Sequence, residues 1–169
     1  MTIFACSDHH LGHARIIEMC KRPYTDVIEM NQDLILRHNA VVHREDIVYF
    51  IGDIIWNDNC MNLLSKMNGI HRFVLGGHDR KFFCEKHLAV NEIKKYDIWE
   101  IAIDGQNIVL CHFPLREWNG SYHGWWHIHG HCHGRAEEPK NCVDVSVDAW
   151  NFYPASFEQI KERIDKEKV

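Results

Sequence analysis

The stretch "HIHGHCHG", His127–Gly134, places a histidine at every second position around a central glycine. Residues two apart in a strand point to the same face, so His127 and His129 would share one face as supporting or packing residues. Gly130 allows a sharp turn, from which His131 and His133 would project beyond the strand end. A His-rich surface tract can arise without function. This one, however, lies well inside the chain and directly follows the apolar pair Trp125-Trp126. Its meaning depends on whether acidic and imidazole partners stand at other strand ends.

Apolar runs bounded by turn residues predict strands over 2–6, 46–53 and 71–79, with an amphipathic helix over 27–42 and a second helix over 60–69 stopped by Gly69. A further helix is expected over 80–88. The second half reads as strands: 96–103 and 107–112 form a hairpin turning at Asp104-Gly105, followed by 125–129 and 142–147. Ser156 with Gln159 makes a capping box for a final helix over 157–167. The order β-α-β-α-β followed by strands predicts an α/β layered fold, with a mixed sheet or two packed sheets.

At 169 residues the chain suits one domain, 1–169, with a real core. Its formal charge of −5 argues against a broad basic surface for duplex nucleic acid. A small nucleotide stays open, because bound metal ions would reverse the local sign. Seven cysteines without a C-x-x-C pair fit a reduced, cytoplasmic protein; Cys6 and Cys111 read as small core residues. "MTIFACSDHH" does not read as a signal peptide, and no run is long enough to span a membrane.

The predicted strands end in "SDHH", "IGD", "GGHD", "CHF" and "GHCH", and ligands in open α/β sheets bind at the carboxyl ends of strands. Asp8 and His10, two apart, can chelate one ion, whereas His9 between them must point elsewhere. Each residue also has an ordinary reading. Asp8 can be a helix cap and Asp53 a turn residue. His78-Asp79 can be a surface turn, and His112 a satisfied core histidine. Together they offer two carboxylates with three or four imidazoles, a donor set suited to manganese, iron or zinc rather than to calcium or magnesium.

The ordered set Asp8-His9-His10, Gly52-Asp53, Gly76-Gly77-His78-Asp79, His112 and Gly130-His131-Cys132-His133 resembles the calcineurin-like metallophosphoesterase superfamily. Its pattern is D-x-H, G-D, G-N-H-D/E, H and G-H-x-H. The stretches "SDHHLGHARII", "CHFPLREWNG" and "VSVDAWNFYPASFEQI" look like its small single-domain phage and bacterial members. The resemblance implies a four-layer α-β-β-α sandwich with two divalent ions, manganese first, with iron, zinc or nickel as alternatives. It implies that Asp8, His10 and His133 hold one ion and that His112 and His131 hold the other. Asp53 would bridge them. His78 would be the general acid, oriented by Asp79, and His13 and Arg80 would contact phosphate oxygens. One position departs from the family: Gly77 stands where it has an asparagine ligand, which implies a weakened second ion.

The implied activity is metal-dependent hydrolysis of a small phosphate ester, a nucleotide among the candidates, with a phosphodiester first and a phosphomonoester second. The other class is a protein-binding scaffold on a degenerate site. Trp125 and Trp126 read as packing beneath the histidine turn rather than as a base-stacking platform.

Overall fold

A computed structural model describes residues 1–79 and 97–166. Its elements are β1 (Ile3–Cys6), α1 (Ala14–Met19), α2 (Val27–Val41), β2 (Ile47–Ile51), α3 (Met61–Leu64), β3 (Ile70–Val74), β4 (Ile98–Ile103), β5 (Gln106–Cys111), β6 (Trp126–His129), β7 (Cys142–Asp144), β8 (Ala155–Ser156) and α4 (Phe157–Lys166). The helix expected over 80–88 lies outside the described residues, as does Arg80.

Two mixed sheets stack face to face, in the orders β3-β2-β1-β8 and β4-β5-β6-β7. β1, β2 and β3 run parallel, with β8 antiparallel at the edge. In the second sheet β5, β6 and β7 run parallel, and β4 pairs antiparallel to β5. This is the layered α/β sandwich with two packed sheets expected from the sequence.

The apolar alternation of each strand assigns its faces. Phe4, Cys6, Val48, Phe50 and Phe73 form one core with Ile16 of α1, Met30 and Leu34 of α2 and Leu64 of α3. The opposite side chains, Ala5, Ile51 and Val74, meet Ile108, Leu110, Ile128 and Val143 of the second sheet and Ile160 of α4. Fully burying each such aliphatic side chain is worth about 1.5–3 kcal/mol, enough to fix strand register, because a one-residue slip would turn every apolar group outward.

Local signals match these elements. Asp26 accepts from the backbone N–H of Ile28 and Glu29 to start α2. Ser156 and Gln159 form the reciprocal cap of α4. Asp104 and Gly105 both have positive φ, 49° and 80°, as a tight hairpin turn demands. The helix expected over 60–69 is shorter: it ends at Leu64 and is capped by Ser65, and Gly69 instead bends the chain into β3 at φ 109°.

The parallel strands bring their carboxyl ends to one rim. There the two sheets touch: Ser7 bridges Ser146 in parallel, donating to Val145 O at 3.0 Å and accepting from Val147 N at 3.1 Å. Among the described residues no helix is long and apolar enough to cross a membrane.

Candidate metal centre

Loops leaving β1, β2, β5 and β6 deliver the expected ligands to this shared rim. Asp8, His10 and His133 place ligand atoms within 4.8 Å of one another, and Asp53, His112 and His131 do the same. Asp53 Oδ2 joins the groups: it lies 3.4 Å from His112 Nε2 and 3.9 Å from His10 Nε2. Asp8 Oδ1 sits 3.8 Å from His10 Nε2 and 3.6 Å from His133 Nε2. The structure thus brings together the six residues expected to hold metal.

The backbone is bent to do this. Asp8, His10, Asp53, His131 and His133 adopt positive φ of 58°, 51°, 53°, 70° and 52°. Such left-handed conformations are uncommon outside glycine, cost of order 1–3 kcal/mol each and cluster at functional sites. Gly52 has φ 84°, and a Cβ there would collide with the His112 ring. A Cβ on Gly130 would collide with Asp8 Oδ2 and Ser7 Oγ. These two glycines let opposing loops close on the ligands.

The donor atoms are free. Asp8 Oδ1, both ring nitrogens of His10 and His112 Nε2 are buried without a hydrogen-bond partner. Buried polar atoms are rarely left so, and a cation would satisfy those that face the rim: Asp8 Oδ1, His10 Nε2 and His112 Nε2. His112 Nδ1 lies 3.0 Å from Ile51 O, so this nitrogen carries a hydrogen and Nε2 is the atom turned toward Asp53. Burial opposes charge on both Asp53 and His112. Their contact overrides it, lowering the Asp53 carboxyl and raising His112 to about 9. A proton there occupies the place a cation would take. Burial lowers His10 to about 3, which keeps its imidazole neutral and ready to ligate.

A supporting set absent from the sequence reading stands behind His133. Its Nδ1 donates to Asp148 Oδ2 at 2.6 Å, fixing the tautomer with Nε2 toward Asp8. Arg22 grips the same carboxylate through Nε at 2.9 Å and Nη2 at 2.7 Å. The guanidinium also donates to Asp8 O at 2.7 Å and His9 O at 3.0 Å. Burial would raise the Asp148 carboxyl, but hydrogen bonds from His133 and Arg22 hold it down at about 2.

His78 is half-exposed, and its Nε2 lies 3.7 Å from Asp53 Oδ2. Its backbone N–H donates to Asp53 Oδ1 at 3.0 Å. Asp79, expected to orient His78, is fully buried and accepts instead from the backbone N–H of Asp53, Ile54, Ile55 and Gly76. It shapes the turn that carries Asp53 because four converging donors outcompete a neighbouring, half-exposed ring. Gly77 is exposed, and a Cβ added there would meet no atom within 4 Å.

A cleft of about 770 Å³ opens over the two groups, lined by His13, Trp56, His78 and His131 and flanked by Arg15 and Arg135. His13 stacks on Trp56 with ring centroids 3.6 Å apart. Trp56, Arg15 and Arg135 had no motif to mark them. On the outer face of the second sheet His127 and His129 lie buried and stacked at 5.2 Å, outside both ligand groups. Trp126 packs on Phe157 between the sheets.

No family model matches the chain. It is 36% identical over 178 residues to the uncharacterized protein MJ1445 of Methanocaldococcus jannaschii, an alignment spanning 99% of this chain and 93% of that one. The gene 66 protein of Mycobacterium phage L5 is 24% identical over 177 residues, covering 85% of each chain. A crystal structure of a protein of unknown function, AQ665 from Aquifex aeolicus, shares the fold with a TM-score of 0.77 at 23% identity, covering 96% of this chain and 99% of that one. The chain belongs to one family with MJ1445, and the ordered motifs that resemble those of the calcineurin-like metallophosphoesterases gather on one rim of its two stacked mixed sheets.

Proposed function

We propose that the protein is a metal-dependent phosphodiesterase working through a dinuclear centre. The observation that carries this reading is Asp53 Oδ2, within 4 Å of imidazoles from both ligand groups. A single carboxylate oxygen so placed offsets the repulsion between two cations held side by side.

In this reading Asp8, His10 and His133 hold one ion, His112 and His131 the other, and Asp53 both. Manganese suits these ligands, and iron, zinc or nickel shares the preference. Two bound ions would supply an activated water nucleophile and neutralise charge on the phosphoryl oxygens. The chain supplies the remainder. His78, half-exposed at the cleft and beside Asp53, delivers a proton to the departing oxygen. Arg15 and Arg135 at the cleft edge attract the phosphate, and the stacked His13–Trp56 plate offers a flat wall for a base or other planar substituent. A cleft of this size leaves room for groups on both sides of phosphorus, which favours a diester over a monoester.

The test is a turnover screen over phosphomonoesters, linear diesters and cyclic nucleotides, each with manganese, nickel, magnesium and zinc. Diester hydrolysis that requires metal supports the reading. A preference for monoesters overturns the substrate class. Bound metal without turnover on any ester supports a binding scaffold instead.

A further inference from the structure

His9 stands between two ligands of the rim and points away from both. Its ring is buried, with its centroid 5.5 Å from that of Phe50 in the core beneath. There it meets Cys6 at the end of β1 and His38 of α2. Cys6 and His38 have no solvent exposure and His9 has 1%. Ligand atoms of these three side chains lie within 4.8 Å of one another.

The hydrogen-bond pattern leaves this cluster open. His38 Nε2 lies 2.9 Å from Asn68 O. A carbonyl oxygen can only accept, so Nε2 carries the hydrogen and Nδ1 the lone pair. His38 Nδ1 and His9 Nδ1 are both buried and have no hydrogen-bond partner. Leaving a polar atom unpaired in an apolar core is unfavourable. Both rings also bring a nitrogen within 4.8 Å of the Cys6 thiol, so the unpaired atoms belong to one cluster of metal-ligating groups.

We propose that Cys6, His9 and His38 bind one thiophilic ion, zinc(II) or copper(I), in a closed site separate from the rim centre. A thiolate with two imidazoles selects these ions, whereas the carboxylate-bearing rim suits harder ones. On binding, the Cys6 S–H bond is replaced by an S–metal bond and the proton leaves to solvent; both imidazoles enter neutral. With copper(I) the complex stays neutral, and with zinc(II) it carries one positive charge. Among the described residues no fourth His, Cys, Asp or Glu joins the group.

The site would fasten three elements at one point: the end of β1, the rim loop and α2. His9 is flanked by Asp8 and His10, both held at positive φ, so an ion on His9 clamps that strained loop from behind. This role is independent of the phosphodiesterase reading, because no part of it involves phosphate.

The full chain is produced in cells given cobalt(II), as a zinc probe, or copper(I), so that the ion can enter during folding. X-ray absorption at the cobalt or copper edge then reads the ligands. The rim ligands contain no sulfur, so a sulfur shell reports the buried site. Cys20, which lies near His133 and Asp148, supplies the control. A sulfur shell in the cobalt arm assigns a zinc-type ion, and one in the copper arm assigns copper(I). The shell is expected to vanish in Cys6→Ser, to lose a nitrogen scatterer in His38→Ala and to persist in Cys20→Ser. The proposal is overturned if wild-type protein shows no sulfur shell in either arm. It is also overturned if the shell survives Cys6→Ser or disappears in Cys20→Ser. If Cys6→Ser or His38→Ala fails to fold, the wild-type and Cys20→Ser spectra together still decide.

Discussion

His133 reaches Asp148 through a 2.6 Å hydrogen bond from Nδ1, and this bond aims its other nitrogen at the rim. Supporting carboxylates of this kind set ligand basicity and orientation. Asp148→Asn keeps the shape but removes the charge, and with it the strongest reason for His133 to hold this tautomer. Metal affinity at the Asp8–His10–His133 group should fall roughly 10–100-fold. Turnover against manganese concentration measures it. An unchanged curve would mean that Asp148 is only a packing partner.

Arg22 ties the same support to the backbone of Asp8 and His9. Arg22→Met keeps much of the volume but strands the buried Asp148 charge. Removing one partner of a buried ion pair typically costs about 3–5 kcal/mol. Urea denaturation should show a loss of that order, with activity at 25 °C falling only at low metal. A loss below about 1 kcal/mol would show that the pair is solvated in the native state.

Gly77 occupies the position where the superfamily has an asparagine. Its φ is not positive, and open space lies where a side chain would begin. Gly77→Asn should therefore fold without strain and add an amide donor beside the Asp53–His112–His131 group. Calorimetric titration should show the second ion binding tighter, with turnover rising at low metal. Equal second-site affinity in both proteins would place this residue away from the ion.

His78→Ala should retain metal and lose rate by about 10²–10⁴, the range for a positioned acid. The loss should shrink for nitrophenyl esters, whose leaving group needs little protonation. Equal losses for alkyl and nitrophenyl diesters would remove His78 from the proton-transfer role.

Acid stability should depend on His127. Burial lowers its pKa from 6.5 to about 4 in the folded chain. Its ring is already committed: it lies 3.1 Å from Val109 O and accepts from Leu115 N at 3.1 Å. Between pH 6.5 and about 4 the unfolded chain binds more protons than the folded one. Stability is therefore full above 6.5 and is lost as pH falls through that window. The contribution should be on the order of 2 kcal/mol between pH 7 and 4.5. Urea midpoints for wild type and His127→Gln should converge as pH drops; parallel pH profiles would exclude this residue.

The strand-end motifs made the six rim ligands legible because chemistry and chain order coincide there. Asp8, Asp53 and His112 each close an apolar run, and a parallel sheet sends all such ends to one side. The supporting shell was not legible. Arg22 and Asp148 stand 126 positions apart, and no local pattern announces a pair at that distance. Nor did Asp79 declare its task, since three of its four partners are backbone donors of a turn 24 to 26 residues earlier. α1 and β8 escaped notice because six and two residues are too few to display a period. That His9 points away from its neighbours follows from the spacing of Asp8 and His10, but its inward direction depends on their left-handed backbone, which Asp and His tolerate better than most residues without announcing it.

Asp53 tests the central claim most directly. Chelated wild type, His10→Ala and Asp53→Asn are titrated with manganese while hydrolysis of a nitrophenyl diester is followed. The account predicts no turnover without metal, and wild-type activity that keeps rising beyond the first equivalent. His10→Ala should be partly rescued at saturating manganese, whereas Asp53→Asn stays nearly inactive. Turnover in the chelated protein, or an Asp53→Asn variant rescued as readily as His10→Ala, would contradict a centre in which one carboxylate serves two ions.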